Sequence, residues 1–143
     1  MTIGVRPATD ADRPVLRALF LHARRVTFDW LPAEQFHPGD FDAQTRGERI
    51  LVAEDEAGAV TGFVSVWEPD AFIHHLFVAQ ERQREGIGHA LLCAAGWPRE
   101  PLRLKCLVRN ERALAFYRAH GFAEAGRGST DDGEYVLLES GHV

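Results

Sequence analysis

Between residues 72 and 95 an apolar strand runs into a glycine-bearing turn and then directly into a helix. Phe72-Ile-His-His-Leu-Phe-Val78 is rich in β-branched and aromatic side chains, Gln83-Arg84-Glu85-Gly86-Ile87-Gly88 supplies the turn, and a helix is expected from about Gly88 to Ala95. Gly96 and Pro98 end it. The first backbone N–H groups of a helix are unpaired, the helix dipole favours negative charge there, and glycines admit a bulky anion. The segment reads either as a pyrophosphate cradle or as a tight strand-to-helix turn, and Gly-x-Gly spacing alone does not separate the two. A dinucleotide fingerprint would need a further glycine where Leu91 stands, and a Walker A loop would need Gly-Lys-Ser/Thr where the chain has Gly88-His89-Ala90.

The remaining pattern is mixed α and β. Ile3–Val5 reads as a short strand. Thr9 or Asp10 caps a helix whose stripe is Val15, Leu16, Leu19, Phe20, Ala23 and Val26. Residues 28–49, broken by Pro32, Pro38 and Gly39, read as loops with one short helix. Ile50–Ala53 and Val60–Trp67 form a hairpin about the turn 55–58. Leu102–Val108 is a strand with Leu102, Leu104, Cys106 and Val108 on one face. Asn110 caps a helix that runs through His120 to Gly121, and Phe122–Ala125 and Glu134–Leu138 are joined by Asp131-Asp132-Gly133. No repeat or linker interrupts the chain, so residues 1–143 read as one domain. With 45% apolar residues it can build a core without disulfides; Cys93 and Cys106, each in an apolar run, read as reduced core residues. No signal peptide or membrane span is visible, and the expected compartment is cytoplasmic. A net charge of -5 with scattered arginines argues against nucleic acid as a partner. The seven histidines lack His-x-x-x-His spacing and there is no Cys-x-x-Cys, so no metal site is expected.

A second segment, Asn110-Glu-Arg-Ala113-Leu-Ala-Phe116-Tyr117-Arg-Ala-His-Gly121-Phe122, follows the next strand. With it the chain resembles the GNAT superfamily of N-acetyltransferases. The family's Gln/Arg-x-x-Gly-x-Gly/Ala motif is matched by Gln83, Gly86 and Gly88, and its Asn-x-x-Ala-x-x-Phe-Tyr-x-x-x-Gly-Phe motif by Asn110, Ala113, Phe116, Tyr117, Gly121 and Phe122. The resemblance covers roughly residues 50–139, and the N-terminal third fits only as a strand and a helix. It implies an α/β (α+β) GNAT fold. That fold has a central mixed, mostly antiparallel sheet of about six to seven strands, splayed at a V-shaped cofactor cleft, with helices on both faces. It also implies acetyl-CoA as cofactor, with CoA as product. The pantetheine arm would bond backbone groups of Leu76, Phe77 and Val78, and the pyrophosphate would lie over Gln83, Arg84, Glu85, Gly86, Ile87 and Gly88. Arg84 and His89 are candidate donors. Asn110 is a cofactor contact, a helix N-cap, or both.

Amide formation needs a neutral amine, and a lysine-like amine of pKa ~10.4 is neutral only about once in 10³ at pH 7. A base must take that proton, and an acid can assist the departing thiolate. The resemblance makes Tyr117 the acid. For the base, strand alternation places His74 and His75 on opposite faces, with His74 sharing the face of Phe72 and Leu76. His74 matches a histidine position of the arylalkylamine acetyltransferases, His75 reads as structural, and Glu68 is the rival base. The glutamate that histone acetyltransferases carry on the Phe72 strand is absent.

The segment after the first helix walls the acceptor side in this fold. Here it holds Phe28, Trp30, Leu31, Phe36 and Phe41, apolar side chains that serve either an acceptor pocket or the core. Such loops commonly carry specificity. The expected partner is a small-molecule amine with an apolar or aromatic body, bound by Phe28, Trp30, Leu31 and Phe36, its charge met by Asp29 or Glu34. Neither nucleic acid nor membrane is expected as a partner, and a homodimer is compatible with the sequence. The alternatives are a protein or peptide acetyltransferase and a silent acyl-CoA-binding module.

Overall fold

The computed structural model describes residues 3–141. Its elements are β1 (Gly4–Pro7), α1 (Arg13–Thr27), α2 (Asp40–Gln44), β2 (Arg49–Glu54), β3 (Val60–Trp67), β4 (Phe72–Val78), α3 (Ile87–Ala95), β5 (Arg103–Leu107), α4 (Glu111–Ala119), β6 (Ala123–Thr130) and β7 (Gly133–Glu139). Seven strands form one sheet in the order β1-β2-β3-β4-β5-β7-β6. Every neighbouring pair is antiparallel except β4 and β5.

Period-two alternation in the central strands builds a core on each face of the sheet. Val52 and Phe63 face α1 and α2, where they join Leu16, Phe20 and Phe41. Leu51, Ala53, Val64 and Val66 face α3 and α4, where they join Leu91, Leu92, Leu114 and Tyr117. In α1 the stripe is narrower than its spacing predicts. Leu16, Phe20 and Ala23 are buried, but Val15 and Val26 are exposed. Arg24 is buried instead, its guanidinium 3.8 Å from the Phe20 ring centroid and hydrogen-bonded to Asp40 at 3.1 Å. Thr9 and Asp12 cap the 3-10 turn that leads into α1, with the Thr9 N–H donating to Asp12 Oδ2 at 2.8 Å.

The feature that positions the site is the parting of β4 from β5. They pair only at Phe72 with Arg103 and Ile73 with Leu104. Beyond Ile73 the strands diverge, and the edge of β4 from His74 to Val78 is left without a β5 partner.

Candidate active site in the splayed strands

The parted strands open a cleft with two halves. The larger, about 930 Å³, is lined by Leu76–Val78, the turn from Gln83 to Gly88 apart from Glu85, and Asn110, Phe116 and Tyr117 of α4 and its cap. The smaller, about 410 Å³, is lined by Phe28, Phe36, His74, His75, Leu107 and Asp132, among others. Leu76, Phe77, Asn110, Ala113 and Tyr117 line both. Tyr117 therefore stands at the junction.

The larger half is built from backbone. Ala79 N–H donates to Thr61 O at 2.8 Å. Hydrogen-bonding sense alternates along an antiparallel strand, so Phe77 also turns its backbone groups to β3, and Leu76 and Val78 turn theirs to the cleft. Val78 O there accepts from Gln83 Nε2 at 3.0 Å, tying the turn to the end of the strand. This corrects the expectation for Phe77, whose backbone serves the sheet. Gly86 caps α3 at φ 85 and Arg84 lies at φ 67, left-handed backbone of the kind from which concave anion-binding turns are built. Gly88 has a packing role as well, because a Cβ there would meet the Phe116 ring at 3.3 Å. Glu85 turns away and pairs with Arg82 at 3.2 Å. His89 lines this half, but its Nδ1 is 3.0 Å from His120 Nε2. Asn110 caps α4 by accepting from the Ala113 N–H at 3.3 Å, and it also lines the cleft. Arg109 and Arg112 line this half too; neither lies within the matched motif positions.

Tyr117 is only 7% exposed, and burial pushes its phenol well above the ordinary tyrosine range. It stays protonated at neutral pH.

The smaller half departs furthest from the sequence reading. A β-bulge in β4 opposite Ser65 and Val66 inserts one extra residue: Ser65 pairs with His75 and Val66 with Ile73, leaving His74 unpaired. Strict alternation fails there. His74 and His75 turn to the same side, their rings stacked with centroids 3.9 Å apart. His74 is exposed and its Nδ1 lies 2.8 Å from Glu48 Oε2. His75 packs edge-on against Phe20 at 4.6 Å, and burial, with His74 and Arg24 nearby, lowers its pKa to about 3. One ligand-type atom each from Glu48, His74 and His75 lie within 4.8 Å of one another, a cluster that residue spacing did not anticipate. Glu68 is exposed in the 3-10 turn before β4 and lines neither half of the cleft.

The aromatic segment divides. Phe41 is fully buried in the α1-side core. Phe28 and Phe36 line the smaller half. Trp30 lines the larger half instead, where Arg109 sits 4.8 Å from its ring centroid and its Nε1 donates to Asp132 O at 3.3 Å. Leu31 and Glu34 line neither half, and Asp29 lines the larger one.

Comparison with known proteins accounts for this architecture. Residues 46–124 match the family model described as the acetyltransferase (GNAT) domain. The chain is 30% identical over 121 residues to the peptidyl-lysine N-acetyltransferase YiaC of Escherichia coli K12, covering 82% of each protein. This chain belongs to the GNAT acetyltransferases. Solved structures share its fold over nearly the whole chain. The apo form of Escherichia coli YjaB superposes with a TM-score of 0.77 at 26% identity, covering 97% of this chain and 96% of the other. The PaiA N-acetyltransferase of Thermoplasma acidophilum, solved with coenzyme A, gives 0.79 at 18% identity, covering 99% and 100%. Acetyl-CoA is the cofactor of the family, and the larger half suits it: a strand edge with backbone groups turned to the cleft and a left-handed turn of N–H groups at a helix start. Among the described residues no helix is long and apolar enough to cross a membrane.

Proposed function

We propose that residues 1–143 act as one domain that transfers acetyl from acetyl-CoA to a primary amine of a small molecule with an apolar or aromatic body. The observation that carries this reading is the position of Tyr117, buried and protonated at the junction of the two halves. Acetyl-CoA, when bound, supplies an activated thioester. Leu76, Val78 and the turn from Gln83 to Gly88 would hold it. Phe28 and Phe36 receive the body of the acceptor, and His74, exposed on the same half, takes the proton from its ammonium group. Tyr117 donates its hydroxyl hydrogen bond where thiolate charge develops. A free thiol has pKa ~8.5 and a phenol ~10, so full transfer to sulfur is uphill by roughly 2 kcal/mol in water. Burial raises the phenol further, so Tyr117 acts by holding its hydroxyl hydrogen bond on the developing thiolate rather than by full transfer to it.

A second reading, a lysine side chain within a peptide, is favoured by the likeness to YiaC, whose name gives peptidyl-lysine as its acceptor. Thiol release from acetyl-CoA across aryl-alkyl amines, polyamines and lysine peptides separates the two. Best turnover with peptides or polyamines refutes the small-amine reading. Tyr117→Phe keeps the ring and lowers kcat about 10²–10⁴-fold with acetyl-CoA affinity unchanged. Normal turnover removes Tyr117 from the reaction.

A further inference from the structure

Glu48 is the residue between the turn at Gly47 and the start of β2, and nothing in its neighbourhood in sequence marks it. Its side chain is only 6% exposed. Oε2 lies 2.8 Å from His74 Nδ1, while Oε1 is buried with no hydrogen-bond partner in the protein. A carboxylate so enclosed is held at Oε2 by His74, the more exposed of the two histidines that line the smaller half of the cleft.

The geometry points to Glu48 as the positioning residue that orients His74 and stabilises its charged form during proton removal from the acceptor. This rests on the reading above that His74 is the base. An ionised carboxylate only accepts hydrogen bonds, so His74 must donate through Nδ1–H. The free lone pair is then on Nε2, the nitrogen left to meet the acceptor. When Nε2 takes the ammonium proton, the imidazolium keeps Nδ1–H on Glu48, and the carboxylate offsets the new charge at short range. The proton later leaves from Nε2 to water through the exposed edge of the ring. Glu48 is not itself protonated, which is the arrangement of a histidine base with a buried carboxylate behind it.

The β-bulge is what makes the pair. Regular pleating would send His74 and His75 to opposite faces; the extra residue brings both rings to the side where Glu48 lies. The other charged and titratable groups around the pair leave Glu48 as its counter-charge. Stacked His75 stays neutral above its pKa of about 3. Arg24 of α1 is engaged by Asp40 at 3.1 Å. Lys105 of β5 and Asp132 of the β6–β7 turn line the same half, and neither is hydrogen-bonded to His74.

The test combines kinetics with NMR. In nitrogen-edited spectra of the wild-type protein, neutral His74 is expected as the Nδ1–H tautomer; an Nε2–H tautomer overturns the proposal even if no variant folds. Glu48→Gln, checked for folding by its acetyl-CoA-induced melting shift, is expected to lower kcat about tenfold to a thousandfold. It is also expected to move the acid limb of the pH–rate profile to lower pH, with KM for acetyl-CoA unchanged. Glu48→Asp, which keeps the charge, should recover part of the loss. The double variant Glu48→Gln/His74→Ala should be no slower than His74→Ala alone; additive losses overturn the coupling. Full activity in His74→Ala defeats the base assignment itself. Loss in His74→Ala with an unshifted limb in Glu48→Gln defeats only the role of Glu48. Activity abolished by chelator and restored by zinc makes the three residues a metal site and overturns the proposal.

Discussion

Between pH 7 and pH 5 acidification should destabilise this protein chiefly through His75. Its ring is packed against Phe20 and stacked on His74, and burial holds its pKa near 3 against an ordinary 6.5. Between those values the unfolded chain binds a proton that the folded protein refuses. The unfolded state thus carries more protons, and stability falls as pH drops from about 6.5 towards 3. Above 6.5 both states hold the neutral ring and the effect vanishes. At pH 5 the linkage amounts to roughly 2 kcal/mol. With an unfolding entropy of about 2.1 cal/mol/K per residue, that lowers the midpoint by roughly 7 °C. Asp12, held down to about 2 chiefly by its hydrogen bonds to Arg6, keeps its contribution until pH falls below its ordinary value of 3.8, as do Asp40, Asp42 and Asp55, so pH 5 reads mainly His75. His75→Phe keeps an aromatic ring against Phe20 and breaks no hydrogen bond, since Nε2 has no partner in the protein. Differential scanning calorimetry of both proteins at pH 7 and pH 5 isolates the term. The wild type should lose the extra degrees and the variant should not. Equal losses in both, or an NMR titration of His75 near 6.5, would refute the argument.

Saturating acetyl-CoA at about a hundred times Kd should stabilise the fold by roughly 2.7 kcal/mol, read as a melting shift. Gly88→Val, whose side chain would run into the Phe116 ring, should abolish most of that shift by displacing α4, and a full shift in the variant would exclude the larger half as the cofactor site. Phe28→Ala should raise KM for the best amine about tenfold and leave KM for acetyl-CoA unchanged, as expected for a ring that lines the acceptor half. Trp30→Ala, which loosens the tie to Asp132 and the stack on Arg109 beside the larger half, should raise both; steady-state kinetics with each substrate varied would expose the reverse pattern.

The order of elements and the left-handed turn before α3 were readable because they are written locally. The turn from Gln83 to Gly88 needs left-handed backbone and a helix start, and Asn110 caps the helix that carries Tyr117; each depends on neighbours a few residues away. Periodicity placed the strands for the same reason. It erred where it assumed a regular pleat. Whether β4 carries an extra residue at His74 is set by its register against β3, and no short-range signal encodes that pairing. The smaller half of the cleft is likewise assembled across the chain. Glu48 meets His74 from 26 residues away, and Trp30 reaches Asp132 across 102 residues while its ring lies with Arg109 in the larger half. Alternating hydrophobicity states which face of an element is buried. Which polar atoms then meet in the cleft is decided only when the sheet, its bulge and the covering helices close together.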